Sequence, residues 1–317
     1  MTTVITGAGL VGTSYAISAA VRGEKVVFLD PLPRADYLDR RLGAGNYTLI
    51  PEDTRHLPGV LAAIEEHRPD TVLHTAGLIG RRAEDPLHLG MDLNVNGAIA
   101  VCEAVRLAGV RRLLNISTFG AYDWRRDAVD GVMKEDFPLG SGTAYSNTKA
   151  VQELILEAYS AKYGFEVAIV RPANVFGMGH FWGGSGGGEK CHTLVESGIR
   201  GVPARIPEEQ TMAFEYVYSK DIGRALDLCA TRELPRYNVF NIGIGAVTTF
   251  DELAAAVRAS LPGLEIEVVP GTPPVSRTDH MDIGHARDVL GWEPEYTLEA
   301  GFAAYVEEMR AALGANA

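Results

Sequence analysis

Only three cysteines occur in 317 residues, Cys102, Cys191 and Cys229, and no two form a CxxC pair. A scattered, odd-numbered set excludes a disulfide framework and a structural zinc site. The eight histidines show no HExxH or comparable spacing, so no metal centre is expected. No uninterrupted apolar run reaches membrane-spanning length, and no membrane partner is expected. Cations are in deficit: 29 Lys and Arg against 41 Asp and Glu leave a net charge of -12. That balance argues against nucleic acid or an anionic membrane surface as a partner. The first residues, Met1-Thr2-Thr3-Val4-Ile5, run straight into an apolar strand. No signal peptide is expected there, and a reducing, cytoplasmic setting is the expectation.

What is present reads as alternating strand and helix. Hydrophobic residues make up 46% and charged residues 22%, the balance of an ordinary globular protein with a sizeable core. A short strand at Val4-Ile5 leads into Thr6-Gly7-Ala8-Gly9-Leu10-Val11-Gly12, and an Ala-rich helix follows from Thr13 to Val21. GxGxxG between a strand and a helix predicts a dinucleotide site. Gly7 permits the tight turn, Gly9 lets the backbone approach a pyrophosphate, and Gly12 lets helix and strand pack closely. The helix N-terminus faces the phosphate charge, and Leu10 and Val11 within the motif are candidate cofactor contacts. The next strand, Lys25 to Leu29, ends at Asp30. A carboxylate there accepts hydrogen bonds from ribose hydroxyls and repels a 2′-phosphate, so NAD is expected over NADP. Arg34 is the residue that would favour NADP.

Further strands are predicted over 47–50, 71–74, 112–116, 166–170 and 238–242. Helices are predicted over 57–67, 93–108, 151–163, 191–200, 221–231 and 250–261. This alternation predicts an α/β fold, a doubly wound parallel sheet with its ligands at the carboxyl ends of the strands. The run 173–189 is dense in glycine around His180, Phe181 and Trp182, and it reads as a loop that closes over a site. His180, Trp182 and Lys190 are candidates for substrate contact. His74 at a strand end reads as core wall, and Cys191 as a small buried hydrophobe.

Tyr145 and Lys149 stand four residues apart on a predicted helix and so project from one face, a turn apart. An adjacent ammonium favours the phenolate, so the Tyr145 pKa is expected to fall from about 10 towards neutrality. Such a Tyr can pass a proton to or from a substrate oxygen.

Taken in order, the motifs resemble those of the extended branch of the short-chain dehydrogenase/reductase superfamily, the NAD-dependent epimerase/dehydratase family. They are the Gly loop, Asp30, Glu52-Asp53-Thr54, His74-Thr75-Ala76-Gly77, Asn94-Val95-Asn96-Gly97 and Ile116-Ser117-Thr118 with Tyr122. The series continues with Tyr145-Ser146-Asn147-Thr148-Lys149, Arg171-Pro172-Ala173-Asn174, Tyr216-Val217-Tyr218, Asn241-Ile242-Gly243 and Leu290-Gly291-Trp292. The resemblance implies Tyr145 as acid/base, and Lys149 holding the nicotinamide ribose while lowering the Tyr pKa. It implies Thr118 on the reacting oxygen, with Ser117 as the fallback. Asp53 and Thr54 would lie at the adenine, Thr75, Ala76, Gly77 and Pro172 along the cofactor, and Asn94 beneath the site backbone. Asn174, Phe214 and Arg277 would face the substrate. It also implies a dinucleotide-binding domain, 1–172 rejoined by about 216–243, and a smaller α/β substrate-binding domain from 173–215 and 244–317. A homodimer through the Tyr/Lys helix is expected.

Three departures bear on function. The Gly loop is one residue shorter than the usual TGxxGxxG. Phe119-Gly120 follows Thr118 where dehydratases carry Asp-Glu, so dehydration is not expected. Met212-Ala213-Phe214-Glu215 stands where nucleotide-sugar enzymes often place an Arg for the substrate diphosphate. The leading expectation is an NAD-dependent oxidoreductase acting on a secondary alcohol or ketone of a small polar, sugar-like substrate. The alternatives are an NAD-retaining sugar or nucleotide-sugar epimerase and a non-catalytic dinucleotide sensor.

Overall fold

Val4 and Ile5 are both fully buried but join different apolar clusters, which requires a strand covered on both faces. They belong to β1 (Thr2–Thr6), near the middle of a seven-stranded sheet. The protein is described from a computed structural model covering residues 1–32, 34–140, 142–179, 185–274 and 278–314. After β1 come α1 (Leu10–Val21), β2 (Lys25–Leu29), α2 (Ala35–Leu42), β3 (Thr48–Ile50), α3 (Leu57–His67) and β4 (Thr71–His74). Two short helices, α4 (Arg81–Glu84) and α5 (Leu87–Met91), lead through a π-helical turn at Asp92–Asn96 into α6 (Gly97–Ala108). Then follow β5 (Arg112–Ile116), β6 (Val132–Met133), α7 (Ala144–Tyr163), β7 (Glu166–Pro172) and β8 (Asn174–Phe176). The remainder is α8 (Gly186–Arg200), β9 (Ala204–Pro207), β10 (Tyr216–Tyr218), α9 (Ser219–Thr231), β11 (Tyr237–Ile242), α10 (Phe250–Ser260), β12 (Ile266–Val269), β13 (His280–Met281) and α11 (Leu298–Leu313).

The large sheet is parallel throughout in the order β11-β7-β5-β4-β1-β2-β3, the doubly wound arrangement expected. On one face, Tyr15 and Ala19 of α1 and Ile222 and Leu226 of α9 pack on Ile5, Phe28 and Leu114. On the other, Val60 and Ile64 of α3, Val101 and Val105 of α6 and Leu156 of α7 pack on Val4, Val27 and Leu113. Neighbouring residues along each strand thus serve opposite layers, as the pleat demands. The order reverses between β1 and β4, and the chain ends of that crevice are tied together: Gly7 N donates to Leu29 O at 2.8 Å and Thr75 N to Thr6 O at 2.9 Å.

A third apolar cluster gathers Leu194 and Val195 of α8, Ile206 of β9, Tyr216 of β10, Val257 of α10 and Phe302 of α11. Two parallel pairs, β8 with β10 and β9 with β12, run through this part of the chain.

Two sequence expectations change. The stretch 173–189 is not all loop: β8 occupies its start, and α8 begins at Gly186 instead of near Cys191. Ser185 caps that helix by accepting from Gly188 N, and a Cβ on Gly187 would come within 2.5 Å of Asn174 Oδ1. Gly187 serves close packing at the helix start. The helix predicted from Leu93 instead opens with the π-helical turn, which places Asn94 in the interior. His180 and Trp182, the centre of the expected lid, lie outside the described residues, as does Arg277.

Candidate active site

The Gly loop is shaped by what its neighbours leave no room for. Gly7 has φ +90°, and a Cβ on it would sit 2.8 Å from Thr75 Oγ1 and 2.9 Å from Ala76 N. A Cβ on Gly12 would sit 2.5 Å from Gly7 O, so helix and loop touch there. Gly9 is different: its Cβ would meet nothing within 4 Å. Gly9 is also the N-cap of α1 and offers no side-chain cap, so the first-turn N–H groups of Leu10 and Val11 point at space that an anion fits. Thr75 secures the loop from β4, donating to Thr6 O at 2.7 Å and Gly7 O at 3.1 Å.

Asp30 stands at the end of β2 beside this loop. One carboxylate oxygen accepts Ala8 N and the other Leu32 N, each at 2.9 Å, which fixes the group and leaves lone pairs for ribose hydroxyls. Arg34 lies over the Tyr37 ring, 4.5 Å from its centroid. Asp53 has a partner of its own: its carboxylate is paired with Arg55, at 2.6 Å, and Arg55 also holds Asp92. That pairing keeps the Asp53 pKa below the ordinary carboxylate value. Thr54 is buried against Gly97, where an added Cβ would meet its hydroxyl at 2.9 Å.

At the carboxyl end of β5, Thr118 and Tyr145 are neighbours: the Thr118 hydroxyl acts on the titration of the phenol, and it accepts Gly120 N at 3.1 Å. Lys149 is buried one turn along α7 and donates to Ile116 O at 2.8 Å and Gln152 Oε1 at 3.1 Å. Two of its three N–H bonds are thereby used, and the third remains for a ligand such as a ribose hydroxyl. Its neighbourhood includes Gly77, where a Cβ would be 3.8 Å from Nζ. Asn94 underlies the site, bonding Leu78 through both its N–H and C=O and reaching Thr148 at 2.9 Å.

The expected lowering of the Tyr145 pKa is not what the free protein shows. Burial pushes it up to about 12, and the neighbouring Thr118 hydroxyl works against that rise. The Lys149 ammonium is directed to Ile116 and Gln152, and burial lowers its own pKa to about 8. Tyr145 is therefore held as a neutral phenol, a proton donor. Ser117, the fallback for Thr118, points elsewhere: its hydroxyl donates to Glu153, which forms a buried bidentate pair with Arg171. Arg171 in turn holds Tyr122 and Glu135 O, at 3.0 and 2.7 Å. His74 is core wall as expected: Nδ1 bonds Thr6 Oγ1 at 2.7 Å, and burial with the nearby Lys149 charge drops its pKa to about 3.

Gln152 was not singled out from sequence. Its amide receives Lys149 and donates to Asn94 O, linking the two. Its position three residues after Lys149 on one helix was the available signal.

On the substrate side, Asn174 is buried at the start of β8, over Gly187 of α8. Phe214 stacks edge-on against Phe119, the neighbour of Thr118, with 6.2 Å between centroids. Lys190 is buried: its ammonium donates to Gln210 O at 2.7 Å and lies 5.3 Å from the Phe214 ring centroid. Pro172 ends β7, beside Ile242 of β11. Among the described residues no cluster of His, Cys, Asp and Glu could hold a metal ion, and the cysteines are free and buried.

The sequence profile described as the NAD dependent epimerase/dehydratase family matches residues 3–243. A UDP-glucose 4-epimerase of Mycolicibacterium smegmatis is 29% identical over 98% of this chain and 99% of its own. A UDP-glucose 4-epimerase of Thermotoga maritima, solved with UDP-glucose, superposes with a TM-score of 0.87 at 26% identity, over 99% of this chain and 100% of the other. The UDP-glucose 4-epimerase of Thermus thermophilus, solved with NAD, gives 0.84 at 25% identity, over 98% and 100%.

Proposed function

The chain belongs to the NAD-dependent epimerase/dehydratase family, and from that premise we propose that it exchanges hydride at a secondary alcohol or ketone carbon of a small polar substrate, with Tyr145 moving the proton. It is an NAD-dependent enzyme of the extended short-chain dehydrogenase/reductase type. When bound, NAD supplies the hydride chemistry. The chain's own residues bind, orient and handle the proton. The uncapped start of α1 and the open face at Gly9 hold the pyrophosphate, Asp30 takes the adenosine ribose, and Lys149 gives its third N–H to the nicotinamide ribose. Thr118 hydrogen-bonds the substrate oxygen, and Tyr145 gives its proton to that oxygen in reduction and takes it back in oxidation. Residues 173–215 and 244–317 form the substrate-binding part, and the setting is cytoplasmic.

The observation that carries this reading is the juxtaposition of Thr118 and Tyr145 one helical turn from the buried Lys149, whose ammonium donates to Ile116 O at 2.8 Å. Replacing Tyr145 by Phe removes the proton and keeps the ring. NADH formation should fall by about 100-fold or more while NAD affinity, read by calorimetry, is unchanged. Turnover at the wild-type rate in that variant would remove Tyr145 from the mechanism.

A second reading is supported by the relatives named above: oxidation and re-reduction of one carbon with NAD retained, an epimerisation. The same residues serve it. Denaturing the purified protein and assaying released NAD separates the two, because an epimerase of this kind copurifies with its cofactor and makes no net NADH. We also propose a homodimer through α6 and α7, whose outer residues Ile99, Val151 and Leu154 are exposed.

A further inference from the structure

Glu153 and Arg171 form an ion pair, 1% and 3% exposed, one turn along α7 from Lys149. Arg171 holds the carboxylate through two nitrogens: Nε lies 3.0 and 3.2 Å from its two oxygens, and Nη2 2.6 Å from Oε2. The Ser117 hydroxyl donates to Oε1 as well, which fixes the orientation of the group. Arg171 is anchored in its turn. Its Nη1 donates to Glu135 O at 2.7 Å and to the Tyr122 hydroxyl at 3.0 Å, and that hydroxyl donates to Asn241 Oδ1 at 2.6 Å.

Stability alone is a poor reason for such a pair. Taking both charges out of water costs about as much as their attraction returns, and apolar residues of similar volume often serve as well or better. Its place supplies another reason. Glu153 follows Lys149 by four residues on α7, so the two share a face, and Lys149 is itself buried. The Lys149 hydrogen bonds go to Ile116 O and Gln152 Oε1, both uncharged, while burial works against its ammonium. The other groups around it add no anion: Tyr145 is a neutral phenol, His74 on β4 is neutral, and Asn94 and Gln152 are amides. Among the described residues, the charge that opposes loss of the Lys149 proton is that of Glu153.

We propose that Glu153 is a positioning residue of the reaction, a fixed anion clamped by Arg171 and Ser117 that keeps Lys149 an ammonium able to hold the nicotinamide ribose. The proposal rests on the reading of Lys149 as the ribose donor. It gives Ser117 a duty as well: its hydroxyl serves the anion and not the reacting oxygen. Arg171 has to accompany Glu153, because a lone carboxylate so deeply buried would take up a proton and lose the charge that Lys149 needs.

The test is Glu153→Gln combined with Arg171→Met, which removes both charges together, leaves neither unpaired and keeps an acceptor for Ser117. NAD affinity, by calorimetry, and kcat/KM with NAD saturating are both followed from about pH 6 to 10. In the wild type NAD affinity should decline as Lys149 loses its proton, near pH 8. In the double variant that midpoint should lie about one pH unit lower, and the alkaline limb of kcat/KM should move the same way. Adding Gln152→Glu returns an anion to the Lys149 partner and should carry both back up. Glu153→Gln with Arg171→Gln, whose amides can bond each other, carries the same expectation where Met is not tolerated. A wild-type decline that neither double variant moves, with activity lowered equally at every pH, overturns the proposal and leaves the ribose reading standing. Failure of both double variants to fold makes the pair structural and overturns it too. Wild-type NAD affinity that is flat across the range removes Lys149 from the ribose and takes the proposal with it.

Discussion

Lys149 shows how a residue legible in sequence can act differently from its most obvious use. The spacing to Tyr145 placed both on one face of α7, and they lie there. What spacing cannot report is burial, and burial decides both pKa values: the phenol is pushed to about 12 and the ammonium down to about 8. Gln152 was equally hidden, because an amide carries no charge to mark it in a sequence. Its carbonyl receives the ammonium at 3.1 Å, which makes it a positioning residue for Lys149. Gln152→Leu should lower kcat/KM by about tenfold, the value of one buried hydrogen bond to a charged group. Gln152→Glu is the more telling variant. A carboxylate at that distance favours the ammonium, so the Lys149 pKa rises from about 8 and the alkaline limb of the kcat/KM profile should move to higher pH. An unmoved limb would reduce Gln152 to a packing role.

Among the elements, α7 carries two duties on opposite sides. Tyr145, Lys149, Gln152 and Glu153 serve the site and its ion pair, whereas Val151 and Leu154 are exposed apolar residues, 40% and 60% accessible. Leu154→Glu places a charge on the proposed dimer face without touching the site. Sedimentation should show a dimer in the wild type and a monomer in the variant, with NAD affinity unchanged. A variant that stays dimeric moves the interface elsewhere. Elements differ in how well the sequence marks them. The strands β1, β2, β4 and β5 are short apolar runs at the places expected, because burial on both faces leaves only apolar residues and small hydroxyls workable. The helix α3 is found over the predicted 57–67. The start of α8 was hidden by glycines that read as loop, one of which, Gly187, approaches Asn174, and the widened turn at Asp92–Asn96 has no sequence period of its own. Neither α2 nor β12 was foreseen. The first is a short, strongly polar helix, and the second is a strand whose two middle residues, Glu267 and Val268, are exposed.

Across the whole molecule, two buried groups far apart in sequence set opposing pH dependences. Burial lowers His74 from 6.5 to about 3, so the native state binds fewer protons than the unfolded chain between those values, and stability rises with pH there. Burial raises Glu215 from 4.5 to about 7 despite the N–H donors of Gly245 and Met281, so the native state binds more protons, and stability falls as pH rises through that window. From about pH 4.5 to 6.5 the two contributions oppose each other. Neither shift is visible in the sequence, because its main cause is burial by segments far apart in the chain, with the Lys149 charge adding to it at His74 and the N–H donors of Gly245 and Met281 working against it at Glu215. Removing one should expose the other. Urea unfolding of His74→Gln between pH 4.5 and 7 should show stability falling, relative to wild type, by up to about 1.4 kcal/mol per pH unit. Adding Glu215→Gln should flatten that slope again. A His74→Gln profile parallel to wild type would mean that the histidine keeps its proton when the chain folds, which its contact with Thr6 and the nearby Lys149 charge argue against.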